Sequence, residues 1–142
     1  MRYKFRGKRV DKGEWVYGNL IEDDNGNMFI VKEGEISPCI LPSMYLDEVY
    51  EIIPETVGQR TSFKDLSLKE IWEGDVFHIE SSDDLGVVVF LSGCWLVKWE
   101  RLNGKPVAGD FSRLCDVKYL GYVIGNVHDN PELLKGGKND KV

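Results

Sequence analysis

The sequence predicts a mainly β protein assembled from short antiparallel strands, and three observations carry that expectation. Fifteen glycines and five prolines are scattered through 142 residues, a density that breaks a chain into many turns. Apolar and polar residues alternate with period two over several short segments, as half-buried strands require. No 3.6-residue period is sustained, so long helices are not expected. The 42% hydrophobic and 11% aromatic content supports a packed core at this length and argues against disorder.

The opening Arg2-Tyr3-Lys4-Phe5-Arg6 alternates basic and aromatic residues. It reads as a strand with Tyr3 and Phe5 on one face and the cations on the other. Asp11-Lys12-Gly13-Glu14 supplies a turn, and Trp15 to Ile21 the returning strand. Asp24-Asn25-Gly26-Asn27 contains an Asn-Gly dipeptide, a strong hairpin signal because both residues tolerate positive φ. Met28 to Val31 follows as a third strand, completing a β-meander. Residues 33–55, punctuated by Pro38, Pro42 and Pro54, are less regular, with Tyr50 to Ile53 as a candidate strand.

Beyond Val57, Ser67 to Trp72 reads as a helical turn or a short strand, leading into the Glu73-Gly74-Asp75 turn. Val76 to Ile79 alternates, Ser81 to Asp84 is a polar loop, and Leu85 to Phe90 has the apolar run of a buried strand. Ser92-Gly93 marks a tight turn before a strand from Cys94 to Trp99, and Asn103-Gly104 marks another turn. Val117 to Val127 ends the β region. A strand, a loop, a Gly-Val-Val strand, a tight turn and a further strand, in that order, suit an SH3-like barrel. Asn130 and Pro131 suit the start of a short helical turn closed by Gly136-Gly137. The expected organisation is an N-terminal β-meander over 1–55, an SH3-like β-barrel over 56–127, and a helical turn and tail over 128–142.

Charge is segregated. The net charge is −6, yet residues 1–9 hold five basic groups and no acid, leaving 13 basic against 24 acidic groups in the remainder. An acidic chain of pI about 5.0 lacks the basic balance usual for nucleic-acid binders. Met1 runs directly into a charged segment, so no secretory leader is expected, and no stretch approaches the roughly 20 apolar residues of a membrane helix. The three cysteines, Cys39, Cys94 and Cys115, are odd in number and form no C-x-x-C pair. They read as free thiols in a reducing cytoplasm.

Two long stretches carry a family likeness. Gly58-Gln59-Arg60-Thr61-Ser62 with Lys64-Asp65 leads to Ile71-Trp72-Glu73-Gly74-Asp75; Ile124-Gly125-Asn126 leads to Asn130-Pro131-Glu132-Leu133-Leu134. With Lys4-Phe5-Arg6-Gly7-Lys8 and Trp15-Val16-Tyr17-Gly18, they resemble, in order, the motifs of the YopX family of bacteriophage and prophage proteins. Arg60 stands where that family has an aromatic residue, Ser62 replaces a glycine, and Ser67-Leu68 replaces an Asn-Gly-like turn, which weakens the expectation of a tight hairpin at 65–69. The resemblance implies a phage or prophage gene product with a partly SH3-like β fold. It implies no assigned activity and brings no catalytic residues.

Catalytic and metal chemistry find little support in the residues. The two histidines, His78 and His128, stand 50 positions apart, short of the three or four ligands a zinc site needs. His78 is expected to face solvent between inward Phe77 and Ile79. Cys94 and Cys115 have apolar neighbours and read as small core residues rather than nucleophiles. Asp23-Asp24, Asp83-Asp84 and Glu73 with Asp75 lack further spaced ligands, and the last pair suits a turn. No phosphate-binding glycine loop occurs. No cofactor, metal or catalytic residue is expected.

The feature with functional potential is the first strand. Arg2, Lys4, Arg6 and Lys8 would project from one face about 6.6–6.8 Å apart, a spacing that suits contacts to phosphates or to a protein partner. Edge protection and pairing with acidic surface of the same or a neighbouring chain are alternative uses. Trp95 and Trp99 share strand parity with Val97 and are candidates for an aromatic interface, since large aromatics enrich interfaces as well as cores; Trp72 is expected in the core. The function expected is a non-enzymatic interaction module in the bacterial cytoplasm, with a protein partner or a homo-oligomer and no membrane. The alternative is a nucleic-acid-binding accessory protein using the basic strand.

Overall fold

The structure is a computed structural model that describes residues 4–32 and 48–135. Cys39, Pro38, Pro42 and the Gly136-Gly137 stop lie outside the described residues. The chain divides into two compact units, Met1–Arg60 and Thr61–Val142. Both are antiparallel β structures, and the architecture is mainly β.

The first unit is a meander of β1 (Phe5–Lys8), β2 (Trp15–Glu22), β3 (Met28–Val31) and β4 (Val49–Ile52). A 3-10 turn at Pro54–Thr56 then leads into β5 (Gly58–Lys64). The first residues of β5 return to β1, pairing Gln59 with Phe5 and Gly58 with Arg6, so the order is β4-β3-β2-β1-β5. Thr56 fixes this return. Its hydroxyl donates to Ile53 O at 2.6 Å and accepts from Lys8 N at 2.9 Å. A bridge between Arg9 and Ile52 brings the end of β1 back toward β4, curling the meander around Ile30 and Ile52. Gly18 is required by close approach: a Cβ there would run into the Val31 carbonyl.

The Asn25-Gly26 turn departs from expectation. Only Gly26 takes positive φ, because Asp23 organises a longer loop. Its Oδ1 accepts from Asn25 N and Asn27 N, both at 2.9 Å, and its Oδ2 from Asn27 Nδ2 at 3.0 Å.

In the second unit the last residues of β5 pair with β6 (Glu70–Trp72). The main sheet comprises β7 (Asp75–Ile79), β8 (Asp84–Leu91), β9 (Cys94–Leu102), β10 (Lys105–Pro106) and β12 (Tyr122–Asn126), in the order β10-β9-β8-β7-β12. β11 (Phe111–Arg113) pairs with β9 and leads directly into α1 (Leu114–Val117), a single helical turn. Neither β10, β11 nor α1 is signalled in the sequence pattern. Among the described residues of this unit the main sheet does not close on itself, so the expected SH3-like barrel takes the form of an open antiparallel sheet.

The core of this unit is Ile71, Phe77, Ile79, Val88, Val97, Trp99, Leu114 and Val123, all buried. Trp72 is buried as expected. Ser92-Gly93 and Asn103-Gly104 are two-residue turns with positive φ at both positions, the geometry that matches strand twist. Pro131–Leu134 forms a 3-10 turn. Asn130 does not cap it through its side chain; its Oδ1 accepts from Asn126 N at 3.2 Å instead.

Candidate functional site

Two cations of the basic strand, Arg6 and Lys8, lie against an aromatic ring. Arg2 and Tyr3 lie outside the described residues. Lys4 is exposed, and its carbonyl accepts from Arg60 N at 2.8 Å. Arg6 is only 6% exposed, with its guanidinium 4.5 Å from the centre of the Trp15 ring. Lys8 Nζ approaches the same ring at 5.6 Å. The register explains this: Lys8 lies directly opposite Trp15, and Arg6 diagonal to it on the same face. Arg9 stacks on Tyr50 at 4.2 Å and donates twice to Asp11, at 2.9 and 2.7 Å. That hydrogen-bonded pair raises the Arg9 pKa and lowers that of Asp11. Arg6 and Lys8 share a face, and β2 lays an aromatic ring against it, so Arg6 is not a solvent-projecting cation.

The tryptophans of β9 divide. Trp95, Val97 and Trp99 do share one face, the inner one. Trp99 is 3% exposed, and its Nε1 donates to Ser112 Oγ at 2.8 Å. Trp95 is half-buried at the margin, its ring 4.7 Å from that of exposed Phe90. Trp99 is thus a core residue, and Trp95 keeps an accessible edge. Cys94 and Cys115 overturn the core expectation: both are exposed free thiols, because Cys94 opens β9 on its outer face and α1 buries Leu114 instead of Cys115.

The motif residues mostly hold the fold. Asp65 is 4% exposed, yet its carboxylate accepts four hydrogen bonds. Ser67 N and Oγ reach Oδ1 at 2.9 Å, Lys69 N reaches it at 3.0 Å, and Val123 N reaches Oδ2 at 2.9 Å. Burial works to raise its pKa, but these donors prevail and hold it below the ordinary value. The segment 65–69 is a tight turn after all, with Asp65 N donating to Lys69 O and Leu68 at φ 68°. Ser62 stands at φ 71°. Both departures from glycine therefore occupy left-handed backbone positions. Asp75 is buried and accepts from Trp72 N at 2.7 Å, shaping the Glu73-Gly74-Asp75 turn. Asn126 Oδ1 accepts from His128 N and Asp129 N, and a Cβ at Gly125 would clash with Asn130.

Half-buried His78 donates from Nε2 to Asp83 Oδ1 at 2.9 Å, and Arg101 lies 3.6 Å from the same oxygen. The His78 hydrogen bond lowers the Asp83 pKa, with Arg101 adding to it. Among the described residues no three His, Cys, Asp or Glu side chains are grouped to hold a metal ion, and no helix is long and apolar enough to cross a membrane.

What sequence reasoning missed is an apolar exposure around the start of β12. Leu66 N donates to Gly121 O at 3.0 Å, and with the Asp65–Val123 bond this ties the 65–69 turn to residues 121–123. Leu68 is 75% exposed and Tyr119 66%, and Leu66, Leu120, Tyr122 and Ile124 are also exposed. Lys118 Nζ sits over both Phe63 and Tyr119, at 4.8 and 4.7 Å. The alternation Tyr122-Val123-Ile124 hinted at one exposed pair, but the turn that joins it lies about 55 residues upstream in the sequence.

No curated protein matches the sequence. Among solved structures, the chain is similar to the crystal structure of protein EF1440 from Enterococcus faecalis. The TM-score is 0.59 at 23% identity, over 94% of this chain and 99% of that one. That likeness shows a shared fold. The family model described as YopX protein matches residues 4–135, a span that contains every motif discussed above, and the chain accordingly belongs to the YopX family.

Proposed function

We propose that this chain is a non-enzymatic interaction module, encoded by a phage or prophage and acting in the bacterial cytoplasm through a protein partner or by self-assembly. The observation that carries this reading is the apolar exposure formed by Leu66, Leu68, Tyr119, Leu120, Tyr122 and Ile124. Grouped exposed apolar residues commonly mark association sites, whereas singly scattered ones do not, and the Leu66 N–Gly121 O and Val123 N–Asp65 Oδ2 bonds bring together two of the segments that carry these residues. The polar residues of the family motifs add support, since Asp65, Asp75, Asn126 and Asn130 are engaged in holding turns. The nucleic-acid alternative draws no support from Arg6 and Lys8, whose charges lie over Trp15.

The test is a tagged pull-down from host cells, split into nuclease-treated and untreated halves, alongside a Leu120→Lys variant. A stoichiometric protein or self-complex that survives nuclease and is lost in the variant is the expected result. Recovery of nucleic acid alone, with binding that falls steeply with salt and collapses in a Lys4→Glu, Lys8→Glu variant, would overturn it. A turnover abolished by one conservative substitution would overturn it equally.

A further inference from the structure

The second unit carries a pair of thiols that neither the fold nor the proposed interaction surface uses. β9 and β11 run antiparallel, with Phe111 opposite Lys98, Ser112 opposite Val97 and Arg113 opposite Leu96. Cys94 stands two residues before Leu96 and Cys115 two residues after Arg113, so both leave the pairing at the same end. Alternation sets their faces. Trp99 and Ser112 meet on the inner side through the Nε1–Oγ hydrogen bond. Cys94, Leu96 and Arg113 consequently belong to the outer side. Pairing stops at Leu96 opposite Arg113, and Cys115 then lies in the first turn of α1 and not on the strand, so Cys94 and Cys115 each stand two residues beyond the same last pair. A disulfide spans Cα atoms roughly 4.4–6.8 Å apart, so the bond requires these two chain ends to approach to that separation. α1 takes over at Leu114, so closure would draw a single helical turn toward the start of β9.

Both thiols are exposed and free. The charges around them are mixed. Arg113 Nε donates to Asp116 Oδ2 at 3.0 Å, and Cys115 Sγ approaches Asp116 Oδ1 at 3.7 Å. Asp116 is the principal cause of the raised Arg113 pKa, and Cys115 and Cys94 both contribute to the same field. One guanidinium therefore lies within electrostatic reach of both sulfurs, as expected if they share one small patch of surface.

We propose that Cys94 and Cys115 form a dithiol site that reacts with small-molecule disulfides and closes to an internal disulfide. One protein thiolate attacks the S–S bond of the small disulfide, giving a mixed disulfide and releasing one small thiolate. The second protein thiolate then attacks the protein sulfur of that mixed disulfide and displaces the second small thiolate. The protein loses two electrons and two protons; the small disulfide is reduced to two thiols. The closed bond ties the Ser92-Gly93 turn, beside the Phe90–Trp95 ring pair, to α1.

The experiment uses the full chain carrying Cys39→Ser, exposed to graded glutathione disulfide and read by intact mass and non-reducing peptide mapping. The expected product is a monomer lighter by two hydrogens, with a peptide linking positions 94 and 115. Adding Cys94→Ser or Cys115→Ser should arrest the reaction at a stable glutathione adduct. The internal bond should form at a disulfide-to-thiol ratio about tenfold or more lower in folded protein than in urea, because the fold raises the effective concentration of one thiol at the other. Adducts that persist on both cysteines, bonds between molecules, or equal closure in urea would each overturn the proposal.

Discussion

Replacing Asp65 by alanine removes one carboxylate and strands donors on two separate segments. Val123 N is buried, and its acceptor is Asp65 Oδ2 at 2.9 Å. Leaving such a donor unsatisfied costs about 1–3 kcal/mol. Ser67 and Lys69 are exposed, so their amides recover water, and losing the turn they make costs about 1 kcal/mol, as for a lost helix cap. The sum is about 3 kcal/mol. Asp65→Asn keeps the shape but offers one acceptor oxygen where two are needed, placing an NH2 against either Val123 N or the Ser67 and Lys69 amides; about 2 kcal/mol is expected. Urea denaturation followed by tryptophan fluorescence measures both, and each kcal/mol should lower the melting temperature by about 4–8 °C for a unit of this size. The pH dependence supplies an independent check. The folded pKa of Asp65 lies below the ordinary 3.8, so its contribution is complete above the unfolded value and fades as pH falls through the folded one. The alanine variant should lack that part of the acid transition. A loss within about 0.5 kcal/mol, the range of ordinary surface changes, would refute the reasoning, as would an asparagine variant as stable as the parent.

Ser62→Gly and Leu68→Gly should each stabilise the protein by about 0.5–1 kcal/mol, since relief of left-handed backbone strain outweighs glycine's entropic cost at φ 71° and 68°; a lower denaturation midpoint would contradict this. His78→Ala should let the Asp83 carboxyl titrate closer to its ordinary 3.8, because the His78 hydrogen bond is the main cause of its depression. Carboxyl-carbon NMR titration reads this directly, and an unmoved midpoint would contradict it. The stability it supplies is present above the unfolded value and lost as pH falls through the folded one. Arg6→Ala should cost about 1–2 kcal/mol through loss of the desolvated cation–π contact and of packing by its stem. It should also alter Trp15 emission in denaturation measured by fluorescence.

Local chemistry was legible wherever it acts over a few residues. Ser92-Gly93 and Asn103-Gly104 are two-residue turns because flanking strands pair tightly around them. Asn25-Gly26, with the same dipeptide signal, is not, because Asp23 captures three donors in its loop. Trp95, Val97 and Trp99 were readable as one face, since alternation follows from strand geometry. That Trp99 is internal while Trp95 keeps an accessible edge depends on Ser112 and Phe90, which strand pairing delivers. Cys115 read as apolar by its neighbours, yet a one-turn helix with no periodic signal buries Leu114 and leaves the thiol outside.

The sequence by itself determined the mainly β class, the family, and the two-residue turns at Ser92-Gly93 and Asn103-Gly104. These depend on side-chain alternation, backbone preference and motif order, all local or linear properties. Only the tertiary structure decided that Arg6 is covered by Trp15, that Asp65 reaches 58 positions along the chain to Val123, and that Leu66 lies beside Gly121. Whether a charge is a surface contact or an internal tie, and whether apolar residues form a core or a patch, depends on which strands become neighbours. That pairing is set by the packing of the whole unit, and no local stretch of the chain encodes it.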